Sequence, residues 1–109
     1  MSRFTARDAL ASLEGHNEKF KELFKHGSLV VEIYKPNGED LQTPHTRDEL
    51  YVVISGTGMF KNGDSVDEFG PHDVLFVPAG VDHRFIDFTD DFATWVFFYG
   101  PEGGESKKG

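Results

Sequence analysis

Short β-branched and aromatic runs, each broken after a few residues by a turn signal, fill this 109-residue chain. The runs at 29–34 (LVVEIY), 50–54 (LYVVI), 58–61 (GMFK), 74–77 (VLFV), 84–88 (RFIDF) and 92–99 (FATWVFFY) stand among KPNGED, SGTG, KNGD, EFGPHD, PAG and TDD. Gly, Pro, Asn and Asp at such close spacing leave no room for long helices. The pattern predicts about eight short strands, closed into an all-β sandwich or barrel. Asn62-Gly63 is the strongest of the turn signals, because both residues tolerate the positive φ of a two-residue hairpin.

The first residues are the exception. Residues 5–14 carry a helical stripe of Ala6, Ala9, Leu10 and Leu13, with Thr5 as N-cap, Asp8 three residues on and Gly15 as the stop. Residues 17–26 fit either a helical face (Phe20, Leu23, Phe24) or an alternating strand, and the turn His26-Gly27-Ser28 favours a strand that hairpins into LVVEIY. The predicted organisation is a helix and lead-in strand over 1–27, a barrel over 28–100, and a disordered, Gly-rich, charged tail over 101–109. In the last run Trp95, Phe97 and Tyr99 share one face while Val96 and Phe98 share the other. Both faces are apolar, so one meets the barrel core and the other a second sheet or a second copy of the chain.

Composition narrows the chemistry. There is no cysteine, so thiolate metal sites, disulfides and cysteine nucleophiles are excluded, and any metal must be held by His and carboxylate. The formal net charge of −8 repels phosphate backbones and argues against nucleic-acid binding. No apolar run approaches the ~20 residues that span a bilayer, and the N-terminal residues lack the apolar segment of a signal peptide. A cytoplasmic protein that does not enter membranes is expected.

Against that background, residues 43–58 (TPHTRDELYVVISGTG) pose a question. Ligand-capable groups stand directly before a strand that must be buried. Either they are a solvated strand entrance, or His45 and Glu49 are half of a metal site. If His83, just after the turn PAGVD, opens a strand that meets this one, the three side chains converge at a barrel mouth. A bend over 46–48 would aim His45 and Glu49 together while releasing Arg47 outward. Two imidazoles and one carboxylate form a set suited to Fe(II), Mn, Zn, Ni or Co with positions left open. His16, His26 and His72 sit in turn-like surroundings and read as surface residues.

The two stretches PHTRDELYVVISGTG and GPHDVLFVPAGVDHRF resemble the paired motifs of the cupin superfamily. His45, Glu49 and Gly56 match the second His, the Glu and the Gly of the first motif. Pro78, Gly80 and His83 match the Pro-x-Gly-x-x-His of the second. The similarity spans residues 28–100, and the closing FYGPEGGE is similar to that of small single-domain bacterial cupins. It implies a double-stranded β-helix, or jelly roll, and a metal held by His45, Glu49 and His83. Three positions depart from the pattern. Thr43 stands where the motif has its first His, His72 where it has Gly, and Asp87 where it has Asn. The resemblance therefore implies a three-ligand site, with Thr43, Gln42, Tyr51 and Asp87 as pocket or neighbouring residues. Extended-strand parity places Gln42 on the wrong face and Tyr51 and Asp87 on the right one.

Phe60, Phe76, Phe85, Trp95 and Phe97 read as core, and those facing inward would give an apolar pocket for a small organic ligand. Tyr51 reads as packing with its hydroxyl at the wet end. The resemblance implies a divalent-metal protein acting on a small molecule, as a dioxygenase, isomerase or decarboxylase, or a non-catalytic sensor. A homodimer is expected from the doubly apolar last strand. No catalytic residue beyond the metal set is assigned.

Overall fold

The computed structural model describes residues 3–15 and 19–106, so His16 lies outside the described residues. They form one helix, α1 (Ala6–Ala11), and eight strands: β1 (Phe20–His26), β2 (Leu29–Tyr34), β3 (Asp48–Ser55), β4 (Gly58–Asn62), β5 (Ser65–Phe69), β6 (Val74–Val77), β7 (His83–Ile86) and β8 (Ala93–Tyr99). The Thr5 hydroxyl accepts from Asp8 N–H at the helix start, as the capping pattern predicts. The helix is shorter than the stripe suggests. After Ala11 the chain tightens into i→i−3 bonds, Leu13 to Leu10 and Glu14 to Ala11, and ends at Gly15 with φ +75°. The ambiguous segment is a strand over 20–26, antiparallel to β2.

Two antiparallel sheets result, a five-stranded one in the order β1-β2-β8-β3-β6 and a three-stranded one in the order β5-β4-β7. This is the all-β jelly-roll architecture expected. Register decides what faces inward. Val30, Phe98, Glu49 and Val77 form one cross-strand row, and Glu32, Val96, Tyr51 and Leu75 the next. The alternate rows, Val31-Phe97-Leu50-Phe76 and Ile33-Trp95-Val52-Val74, face outward.

The inner core is aromatic. Tyr51, Phe60, Phe69, Phe85 and Phe92 are all buried, and the Phe85 ring lies 4.6 Å from Phe60, 4.6 Å from Phe92 and 4.9 Å from Tyr51. Tilted and edge-on pairs like these contribute about 0.5–1.5 kcal/mol each beyond area burial. Phe60 and Phe85 are thus core, as expected, but Phe76, Trp95 and Phe97 are not in it. All three are on the outer face, and Phe76 is 45% exposed. Around Trp95 that face is covered by α1 and the turn after it, through Ala9, Leu10 and Leu13 packed with Ile33, rather than by a second sheet.

Motif glycines earn their place at one tight crossing. Gly56 has φ +87°, and a Cβ there would stand 2.5 Å from Phe92 Cα. His72 occupies the corresponding turn position before β6 with φ +74°, in the left-handed region that the motif's glycine suits. Where the sequence suggests only a loose tail, residues 101–106 fold back: Gly103 N–H donates to Thr46 carbonyl, and Glu105 N–H to the Asp48 carboxylate. Residues 107–109 lie outside the described residues. Among the described residues no helix is long and apolar enough to cross a membrane.

Candidate metal centre

Glu49 stands on the inner face of β3, in register between Phe98 of β8 and Val77 of β6. His83 is the first residue of β7, after the turn at Gly80. His45 precedes β3, and the chain bends at Thr46 and Arg47 before the strand begins. That bend is the one needed to aim both side chains. It turns Arg47 away, where its guanidinium donates to the Ser28 carbonyl. The two motifs are tied directly to one another. Gly80 N–H donates to His45 carbonyl (2.7 Å), and Ala79 N–H to Asp48 Oδ1 (3.0 Å).

His45, Glu49 and His83 each bring a ligand atom within 4.8 Å of the others. His83 Nε2 is 3.2 Å from Glu49 Oε1, and His45 Nε2 is 3.9 Å from Glu49 Oε2. Donors bound about 2.1 Å from one ion stand roughly 3 Å apart, so these separations suit a shared ion. Glu49 and His83 are almost wholly buried, while the His45 side chain is 33% exposed and is the open side of the cluster.

The polar atoms test the fit. His83 Nδ1 lies 2.9 Å from the Val81 carbonyl, which only accepts, so Nδ1 carries a proton and, in the neutral ring, Nε2 presents a lone pair. That lone pair faces a carboxylate. Despite the 3.2 Å approach, neither His83 Nε2 nor either Glu49 oxygen has a partner with hydrogen-bond geometry. With the ring neutral, three acceptors are buried together, which is costly unless a cation, a proton on His83 or a metal ion, lies among them. The cluster therefore fits a divalent metal.

The imidazoles respond as this field requires. For His83, burial alone would lower the pKa, but the Glu49 carboxylate and the Val81 carbonyl outweigh it and the net shift is upward. For His45, burial wins over Glu49 and the pKa falls, leaving a neutral ring suited to coordination. Burial, reinforced by Glu49, holds the Tyr51 phenol well above its usual range, so it remains a donor.

The neighbouring residues divide. Tyr51 is fully buried and packs against Phe60 and Phe85, as expected, with its hydroxyl donating to Gln42 Oε1 at 3.0 Å. Gln42 is brought to the cluster, contrary to the parity argument, with Oε1 3.3 Å from His45 Nε2. Its segment lies outside any strand, so alternation does not govern it. Thr43 is exposed. Asp87 is exposed too: β7 ends at Ile86, and Asp87 at φ +52° breaks the alternation that would have turned it inward.

Two carboxylates escape the sequence reading. Asp40, 1% exposed, accepts from Tyr34 Oη, Gln42 N, Gln42 Nε2 and Phe85 N. In sequence it is merely the end of KPNGED. Glu32, on the inner face of β2, has a raised pKa caused first by burial and then by Glu22 and Glu49. Its place inside LVVEIY, opposite in parity to Val31 and Ile33, is the signal that could have marked it.

Comparison with known proteins places these features in context. The Cupin_2 family model, described as "Cupin domain", matches residues 30–99. An uncharacterized protein of Streptomyces coelicolor is 28% identical over 104 residues, covering 94% of this chain and 99% of its own. A cupin superfamily protein of Desulfitobacterium hafniense superposes with a TM-score of 0.66 at 21% identity, over 93% of this chain and 94% of that one. A chain from the structures of the DMSP lyases RdDddP and RnDddQII superposes with a TM-score of 0.62 at 25% identity, over 76% of this chain and 47% of that one.

Proposed function

This chain belongs to the cupin family, and on that premise we propose that it is a metal-dependent cupin acting on a small organic molecule at the His45–Glu49–His83 end of the barrel. The observation that carries the reading is the set of partnerless buried acceptors, Glu49 Oε1, Glu49 Oε2 and His83 Nε2. One divalent transition metal, of the Fe, Mn, Zn or Ni kind, is held by His45, Glu49 and His83. When bound it supplies Lewis acidity, and with a redox-active ion also access to O₂ chemistry. Dioxygenase, isomerase, lyase and decarboxylase reactions fall within that chemistry.

The chain's own residues shape what reaches the site. The barrel interior is filled by aromatic rings, so the substrate approaches from the rim past His45 rather than through the core. A groove of about 550 Å³, lined by Phe20, Tyr34, Leu41 and Gln42 with Lys19, Lys21 and Glu22 alongside, includes the same Gln42 that meets His45. Its apolar walls suit a small organic molecule. Glu32, with its raised pKa, offers a proton acceptor on the inner face. That group favours an enzyme over a sensor; ligand stabilisation without turnover would reverse the preference.

Elemental analysis of protein purified without a histidine tag tests the metal. About one transition-metal ion per chain is expected, lost in Glu49→Ala and His83→Ala. Wild-type protein that takes up no Fe, Mn, Zn or Ni would refute it. We propose further that the protein is a cytoplasmic homodimer, because Val74 (61% exposed) and Phe76 (45% exposed) continue the outer apolar face beyond α1. A monomer by sedimentation at micromolar concentration would exclude the dimer.

A further inference from the structure

Gln42 is held more firmly than a loop residue beside a pocket needs to be. Its Nε2 donates to Asp40 Oδ2 at 3.0 Å, and its backbone N–H donates to Asp40 Oδ1 at 3.1 Å. The carboxylate offers only acceptors, so the amide nitrogen must face it. The amide oxygen must then face the other way, toward Tyr51 Oη (3.0 Å) and His45 Nε2 (3.3 Å). Asp40 is itself fixed by the Tyr34 hydroxyl and by Phe85 N–H on β7. A buried carboxylate anchored to the barrel thus aims one amide oxygen at the metal cluster.

We propose that Gln42 Oε1 is a fourth protein donor to the ion held by His45, Glu49 and His83. This rests on the metal reading above and adds to it the donor that Thr43, exposed and carrying no imidazole, does not supply. The consequence is chemical. Two imidazoles, a carboxylate and an amide oxygen make a harder set than three imidazoles and a carboxylate. Oxygen donors suit Mn(II), while imidazole-rich sets suit Zn, Cu and Ni. Gln42 therefore tilts this site toward hard ions, with Asp40 as the residue that positions it.

The competing role for Gln42 is to hold the His45 ring by a hydrogen bond to Nε2–H. The two roles separate by ion selectivity. Mn²⁺ affinity is read from the free-ion paramagnetic resonance signal and Zn²⁺ affinity from competition with a chromophoric chelator, for wild type, Gln42→Leu and His83→Ala. Loss of a hard donor weakens Mn²⁺ binding at least about tenfold. Zn²⁺ is satisfied by three protein ligands and water, so it weakens less and the Mn²⁺/Zn²⁺ preference falls. Gln42→Asn, which retracts the oxygen by one methylene, moves the ratio in the same direction and serves if Gln42→Leu does not fold. Equal weakening of both ions would assign Gln42 to positioning His45 and overturn the proposal. If wild type binds and His83→Ala does not, but both Gln42 variants match wild type, this proposal alone falls. If wild type binds neither ion, the metal reading falls and this proposal with it.

Discussion

Replacing Asp40 by alanine removes a buried acceptor that serves four donors at once: Tyr34 Oη at 2.6 Å, Gln42 N at 3.1 Å, Gln42 Nε2 at 3.0 Å and Phe85 N at 2.8 Å. Hydrogen bonds to a charged acceptor contribute about 1.5–3 kcal/mol each, or roughly 6–12 kcal/mol together. Burying the carboxylate costs several kcal/mol in return. The net loss expected for Asp40→Ala is about 3–5 kcal/mol, a large share of the ~5–15 kcal/mol that holds a domain together. Asp40→Asn keeps the shape and part of the bonding, so it should lose less. Urea unfolding followed by the single tryptophan, Trp95, measures both, and the melting temperature of the alanine variant should drop by roughly 15–30 °C. A loss below about 1 kcal/mol for Asp40→Ala would mean that water replaces the carboxylate at no cost, and the argument that it anchors loop to barrel would fail.

Three further outcomes follow from backbone and charge. His72→Gly should stabilise by about 0.5–1 kcal/mol, because the left-handed φ of +74° costs a histidine more than the extra chain entropy costs a glycine; unchanged denaturation midpoints would count against it. Gly56→Ala should cost about 3 kcal/mol, since the new Cβ meets backbone, Phe92 Cα, that cannot swing aside; a soluble variant of wild-type stability would contradict the crossing described. Glu32 holds its proton more tightly in the folded chain than in the unfolded one, so its contribution to stability is full in acid and is lost as pH rises above 4.5. Glu32→Gln should therefore be more stable than wild type at pH 7, with chelator present, and equal to it near pH 4; a gap that does not close in acid would reject burial of the carboxylate as its cause.

The frame of the molecule was legible because glycine, proline and Asn-Gly act locally. Gly56 and Gly80 mark positive φ, and β4 and β5 form a hairpin beside Asn62-Gly63, but one residue later than the dipeptide suggests: Asn62 still pairs with Ser65, and Gly63, at φ +59°, begins the turn. His45, Glu49 and His83 were legible through the spacing of the two motifs around that frame. What failed was parity carried beyond the strands. Gln42 sits where no ladder imposes alternation, and Asp87 lies just past the end of β7. Asp40 was hidden for a different reason: its four partners come from three separate segments, and no local pattern brings them together. Phe76 misled because an outward-facing residue on an apolar strand looks like an inward one until the cover of the sheet is known.

The central place of β8 sets an order in time. Glu49 reaches its position only when β3 is paired with β8, and β8 is also paired with β2, which comes from the opposite end of the barrel segment. A growing chain would carry both motifs before it had the strand that seats the first of them. Pairing between such distant segments is slow to form. On the metal reading, all three ligands come together only in the closed barrel, so an ion's hold would be felt more in how slowly the finished molecule comes apart than in how fast it assembles.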